Sequence, residues 1–115
     1  MNDIGKLQKM VIKFRDDRDW KQFHNPKDLS ISLVLEASEL LEHFQWKNKQ
    51  ETDKHLKVSY DDIAGELADV FYWVLLIAND LRIDLDKALN KKIVENNAKY
   101  PIKKSKGNHS KYNNL

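Results

Sequence analysis

The chain has 115 residues, with 20 basic and 18 acidic side chains for a formal charge of +2, and it contains no cysteine. That length suits one domain, and the absence of cysteine excludes disulfides, thiolate metal sites and cysteine nucleophiles, so any metal must be held by oxygen or imidazole. The small basic surplus does not announce a nucleic-acid binder, MNDIGKLQKM lacks the apolar core of a signal peptide, and no run approaches the roughly 18 apolar residues that span a bilayer, so a soluble, cytoplasmic protein with no membrane or stable nucleic-acid partner is expected.

With three Gly, two Pro and no alternating apolar pattern, the sequence predicts an all-α fold of four helices, a compact bundle-like protomer. The first helix runs from about Asp3 to Asp17, with Ile4, Leu7, Val11, Ile12 and Phe14 at amphipathic spacing and charged residues elsewhere. HNPKDLS then starts a second helix: Asn25 caps, Pro26 suits the first turn, Asp28 favours the positive helix end, and the pattern continues to about Gln45. KNKQETDKHLKV reads as a polar connection, after which Ser59 and Asp62 form a capping box for a third helix ending near Asp80. Asp84 starts a last helix that Pro101 stops, giving a helical domain over residues 1–101 and a basic tail, 102–115, expected to be solvated and frayed.

At 3.6 residues per turn, Leu29, Leu33, Val34, Ala37, Leu40, Leu41 and Phe44 form the apolar face of the second helix, with Glu36, Glu39 and His43 along one edge. The third helix is apolar nearly all round, which predicts burial, except for a sector holding Asp62, Glu66, Asp69 and Trp73. Buried ionised carboxylates cost several kcal/mol each and repel one another, and neither helix offers a lysine or arginine nearby. A divalent cation with oxygen preference, Mg²⁺ or Mn²⁺, would balance them, because facing i,i+3 carboxylate pairs make a suitable bundle-core site. The periodicity alone is equally compatible with a solvated groove or with acids that meet basic residues of another helix.

The order Glu36-x-x-Glu39 followed by Glu66-x-x-Asp69, joined to FQW and to N-x-x-K-Y-P, resembles the all-α nucleoside triphosphate pyrophosphohydrolases of the MazG-like superfamily. RDWKQFHNPKDLSISLVLEASELLEHFQW, GELADVFYWVLLIANDLRIDLDKAL and KIVENNAKYP are similar to its compact dCTP pyrophosphatase-like branch, over about Leu7 to Pro101. Gly65 departs from the pattern, where many relatives carry a further glutamate, but all four motif acids are present. The resemblance implies hydrolysis of a nucleoside triphosphate between its α- and β-phosphates with Mg²⁺, with Glu36, Glu39, Glu66 and Asp69 as metal-binding and catalytic residues. A carboxylate not spent on coordination can activate the attacking water; the sequence does not assign that role among the four, and Glu39 is preferred for it. It also places Trp20, His24 and Trp46 around the base, and Lys92, Asn96, Lys99 and Tyr100 at the sugar or phosphates. Too few elements exist to cover the third helix, so a homodimer or homotetramer is expected, and the resemblance agrees. The competing reading is a non-enzymatic helical interaction module whose acids receive a basic partner.

Overall fold

The structure is a computed structural model in which residues 3–114 are described. Those residues form α-helices, short 3₁₀ turns and loops, with no strand among them. They divide into two units, Met1–Arg82 and Ile83–Leu115.

The first unit contains α1 (Asp3–Asp17), α2 (Pro26–Glu42), α3 (Lys49–Val58) and α4 (Tyr60–Asp80), with a 3₁₀ turn at Lys21–Phe23. α2 starts where its cap predicts: Asn25 accepts from the Asp28 amide at 2.9 Å, and Pro26 occupies the first turn without wasting a donor. α1, α2 and α3 all pack against α4. The buried apolar residues are Leu29 of α2 and Leu75, Leu76 and Ala78 of α4.

Four local expectations need correction. Residues 49–58 are helical, because Asn48 and Glu51 form a reciprocal capping box, with the Glu51 amide donating to Asn48 at 2.9 Å and the Asn48 amide to Glu51 at 3.2 Å. Ser59 stands at the N-cap position of α4 but its side chain makes no capping hydrogen bond; its amide closes α3 on the His55 carbonyl at 2.8 Å, and its hydroxyl is turned towards His55. α2 ends at Glu42, short of Gln45, and tight turns carry the chain to Trp46, which adopts φ 69°. Full burial in α4 is confined to its C-terminal half, and Leu67 stays 56 % exposed because nothing among the described residues of this unit covers that side.

Arg15 is the fully buried charge, although the α1 pattern turns charges outward. Its guanidinium grips Asp80 with two hydrogen bonds, 2.7 and 2.9 Å, and Gln8, two turns earlier on the same face, donates to the Leu75 carbonyl at 3.0 Å. These contacts fasten α1 along α4.

The second unit holds α5 (Leu85–Lys99), capped by Asp84, and α6 (Ile102–Ser105) after Pro101. The basic tail is not featureless: Tyr112 meets the Tyr100 ring edge-on at 6.2 Å, and the Lys99 ammonium lies 5.1 Å from the Tyr112 ring.

Candidate metal centre and aromatic pocket

The packing of α2 on α4 brings two i,i+3 acid pairs towards each other. Carboxylate oxygens of Glu36, Glu39 and Glu66 all lie within 4.8 Å of one another; Glu36 and Glu66 are half-buried and Glu39 is exposed. Asp69 stands beside this trio and acts electrostatically on Glu36 and Glu66. Burial lifts the pKa of both glutamates, and Glu39 and then Asp69 push them further up; the Trp73 indole pulls Glu36 partly back, as His43 does Glu66. Among the described residues, no lysine or arginine forms an ion pair with any of the four acids.

These residues fit a hard divalent cation. Glu36 Oε2 and Glu66 Oε2 are buried without a hydrogen-bond partner, an arrangement that is costly unless something positive occupies the space between them. Oxygen ligands of one Mg²⁺ stand at most about 4 Å apart across the ion, so the trio would need only small side-chain adjustments. An all-carboxylate donor set selects Mg²⁺ or Mn²⁺ over softer metals.

Adjoining the acids is a pocket of about 450 Å³, walled by Met10, Val11, Phe14, Trp20, Tyr72 and Trp73 and sharing Glu36 and Asp69 with the acid site. Phe14 meets Trp20 and Tyr72 edge-on at 5.8 and 6.1 Å, while the Arg18 guanidinium lies 3.8 Å from the Phe14 ring centre. The pocket is therefore apolar and aromatic at one side and acidic at the other, and Arg15 holds α1 in place as one of its walls.

Trp20 lines this pocket. His24 packs its ring edge-on against Trp73 at 5.7 Å, with Nδ1 buried and unpartnered; burial first, then nearby Arg15, hold its pKa below the ordinary imidazole value. Trp46 is 92 % exposed and does not line the pocket. Lys92, Asn96 and Lys99 are exposed on α5, Lys92 paired with Glu95 at 3.4 Å, and Tyr100 follows the helix.

Sequence reasoning missed Phe14 and Tyr72 as pocket walls, since the first reads as part of the amphipathic face of α1 and the second as part of the nearly all-round apolar run of α4. It also missed His55. That residue shares a face of α3 with Thr52 and, one turn on, Ser59, a spacing visible once the Asn48–Glu51 box is credited. His43 Nδ1 lies 2.8 Å from His55 Nε2, and His43 Nε2 lies 4.0 Å from Glu66 Oε1. Burial, then Lys47 and His43, lower the His55 pKa, which favours its neutral ring.

Residues 31–115 match the MazG-like family. The chain is 34 % identical to dCTP pyrophosphatase 1 of Bos taurus over 114 residues, 97 % of this chain and 68 % of that one. It is 33 % identical to dCTP pyrophosphatase 1 of Homo sapiens, over 97 % of this chain and 67 % of that one. A crystal structure of a pyrophosphatase from Archaeoglobus fulgidus DSM 4304 superposes with a TM-score of 0.82 at 32 % identity, covering 88 % of this chain and 94 % of its own.

Proposed function

From the premise that the chain belongs to the MazG-like family, in its dCTP pyrophosphatase-like branch, and is a nucleoside triphosphate pyrophosphohydrolase, we propose that it cleaves dCTP or a closely related pyrimidine deoxynucleotide to the monophosphate and pyrophosphate with Mg²⁺. The observation that carries the metal dependence is the convergence of Glu36, Glu39 and Glu66 around two buried, unpartnered carboxylate oxygens.

Glu36, Glu39, Glu66 and Asp69 would hold the cation. When bound, Mg²⁺ supplies charge neutralisation for the triphosphate and for the leaving pyrophosphate. Water attacks the α-phosphorus, the α–β anhydride bond breaks, and pyrophosphate leaves with the bonding electron pair. Glu39, the exposed member of the trio, is the carboxylate we assign to orient that water and take its proton, its exposure being what favours it. The base enters the aromatic pocket beside Trp20, with His24 steadying Trp73 from behind. Trp46 supplies a further stacking surface, a role favoured by its left-handed backbone: a bulky ring in that conformation and fully in solvent does nothing for the fold. Lys92, Asn96, Lys99 and Tyr100 take the sugar and phosphates, on the strength of the family motif alone.

A second copy of the chain covers the apolar side of α4, where Leu67, Val70, Phe71 and Val74 surround an open hollow, and the enzyme is a homodimer or homotetramer. Among the described residues no helix is long and apolar enough to cross a membrane. The deciding experiment is a panel of nucleoside triphosphates with and without Mg²⁺, measuring pyrophosphate and orthophosphate separately. Metal-dependent pyrophosphate release, greatest with dCTP or a modified form of it, supports the proposal; orthophosphate without pyrophosphate overturns it.

A further inference from the structure

Glu39 and Glu66 also line a second hollow of about 490 Å³, together with Glu42, His43 and His55. Successive close approaches join Ser59 to two of these residues, His55 and His43, and then to Glu66. Ser59 Oγ is 3.5 Å from His55 Nδ1, His55 Nε2 is 2.8 Å from His43 Nδ1, and His43 Nε2 is 4.0 Å from Glu66 Oε1. The two rings are tilted by 38° with centroids 5.1 Å apart, and the His43 side chain is only 16 % exposed. Neither histidine belongs to the four-acid motif.

A neutral imidazole carries one N–H, so the direction of such a line is not arbitrary. If Glu66 is ionised, as cation binding requires, a bare His43 Nε2 would set a lone pair against a carboxylate. The favourable arrangement puts the His43 proton on Nε2. Its Nδ1 then accepts from His55 Nε2–H, and His55 Nδ1 in turn accepts from the Ser59 hydroxyl. Every donor in the row points towards the acid cluster. Glu66 is thereby divided: Oε1 faces His43, and Oε2 is the buried oxygen with no partner.

We propose that His55, acting through His43, is a positioning residue for the metal centre: the Ser59–His55–His43 row fixes the His43 tautomer and holds Glu66 so that Oε2 is presented to the cation. α3 brings His55 against the turn that follows α2, and its last turn delivers Ser59, so the helix contributes orientation to a site in which it has no ligand. Partners that orient a ligating side chain commonly change metal affinity or activity 10- to 100-fold.

This inference rests on the metal reading above, and the test separates the two. Mn²⁺ binding to nucleotide-free protein is measured by calorimetry for wild type, His43→Leu, His55→Leu and His55→Gln, alongside steady-state kinetics with Mg²⁺. Both leucine variants should weaken Mn²⁺ about 10- to 100-fold and lower kcat while leaving KM for the nucleotide within about twofold. His55→Gln should recover much of the loss, because its amide N–H can donate to His43 Nδ1. Wild-type affinity in both leucine variants, or a glutamine variant no better than His55→Leu, overturns the row while leaving the metal reading intact. A wild-type protein that binds no Mn²⁺ overturns the metal reading, and the row with it. Should the leucine variants not fold, ¹⁵N spectra of the wild-type imidazoles decide: protons on Nε2 of both rings support the row, and a proton on His43 Nδ1 overturns it.

Discussion

Replacing Trp46 with glycine should weaken nucleotide recognition without weakening the fold. Trp46 holds φ 69° while 92 % exposed, so its ring contributes almost no packing to set against its backbone. The left-handed conformation costs an L-residue about 1–2 kcal/mol. Glycine removes that cost but gives the unfolded chain extra freedom worth about 0.4–1 kcal/mol. The difference leaves Trp46→Gly at about the wild-type stability or up to about 1.5 kcal/mol above it. Stacking of a base on an aromatic ring is worth about 1–3 kcal/mol, so the same substitution should raise KM for the preferred nucleotide about 5- to 150-fold and flatten discrimination among bases. The measurements are a thermal melt in metal-free buffer at fixed protein concentration and steady-state kinetics over several triphosphates. A lower Tm together with an unchanged KM would show that the ring packs against protein in the working enzyme, and the reasoning fails.

The acid cluster gives two further expectations. Glu36→Gln and Glu66→Gln should abolish turnover without weakening the metal-free fold, since burial already disfavours their charge, and should remove the stabilisation of about 2.7 kcal/mol that Mg²⁺ gives wild type at a hundred times its Kd, read by thermal shift. Because the folded pKa of both glutamates lies above the ordinary value, the native state binds more protons in that window, so metal-free stability should fall as pH rises through it; urea titrations across pH that show a rise would contradict the assignment. Asp80 behaves in the opposite sense: its hydrogen bonds from Arg15 lower its pKa, so its contribution is present above the ordinary aspartate value and is lost as pH falls through the depressed one. Asp80→Leu, which strands a guanidinium that is 1 % exposed, should cost about 3–5 kcal/mol in urea unfolding, whereas the double variant Arg15→Met/Asp80→Leu should recover most of it. Finally, Leu67→Lys should yield a smaller species in sedimentation with its helical content retained, since that side chain is 56 % exposed within its own chain; an unchanged sedimentation coefficient would place the interface elsewhere.

The acid pairs were legible because a helix repeats by rule: carboxylates at i and i+3 share a face, and the absence of nearby basic residues is visible in the sequence itself. The Asn25–Pro26 and Asp84 starts were legible for the same reason, as local chemistry with a fixed spacing. What escaped was non-local or disguised. Arg15 and Asp80 are 65 positions apart, and periodicity on α1 says nothing about a partner on α4. Phe14 and Tyr72 become a pocket wall only when those two helices meet. α3 is polar enough to pass for a loop, and its capping box was overlooked in favour of the stronger-looking SYDD, where the serine turned back to His55 instead of forward.

The burial of Arg15 also sharpens the case for a cation among the glutamates. Beyond the Asp61–Asp62 first turn, α4 carries acids at two levels, and at its C-terminal end Asp80 has a guanidinium clamped across both oxygens. Asp69 lies eleven residues earlier, about 16 Å along the helix at 1.5 Å per residue, well beyond the reach of a guanidinium so committed. Glu66 is a turn farther still, and among the described residues only a histidine lies within ion-pair distance of it. The protein therefore neutralises one acidic level of α4 internally and leaves the other to protonation or to an ion from solution. A triphosphate arriving beside that second level brings about four negative charges of its own, which only cations can reconcile with the carboxylates. Metal and nucleotide must then favour each other's binding by the same factor, whichever arrives first. On the proposed metal reading, an acid cluster left without a basic partner would make nucleotide capture conditional on a bound cation.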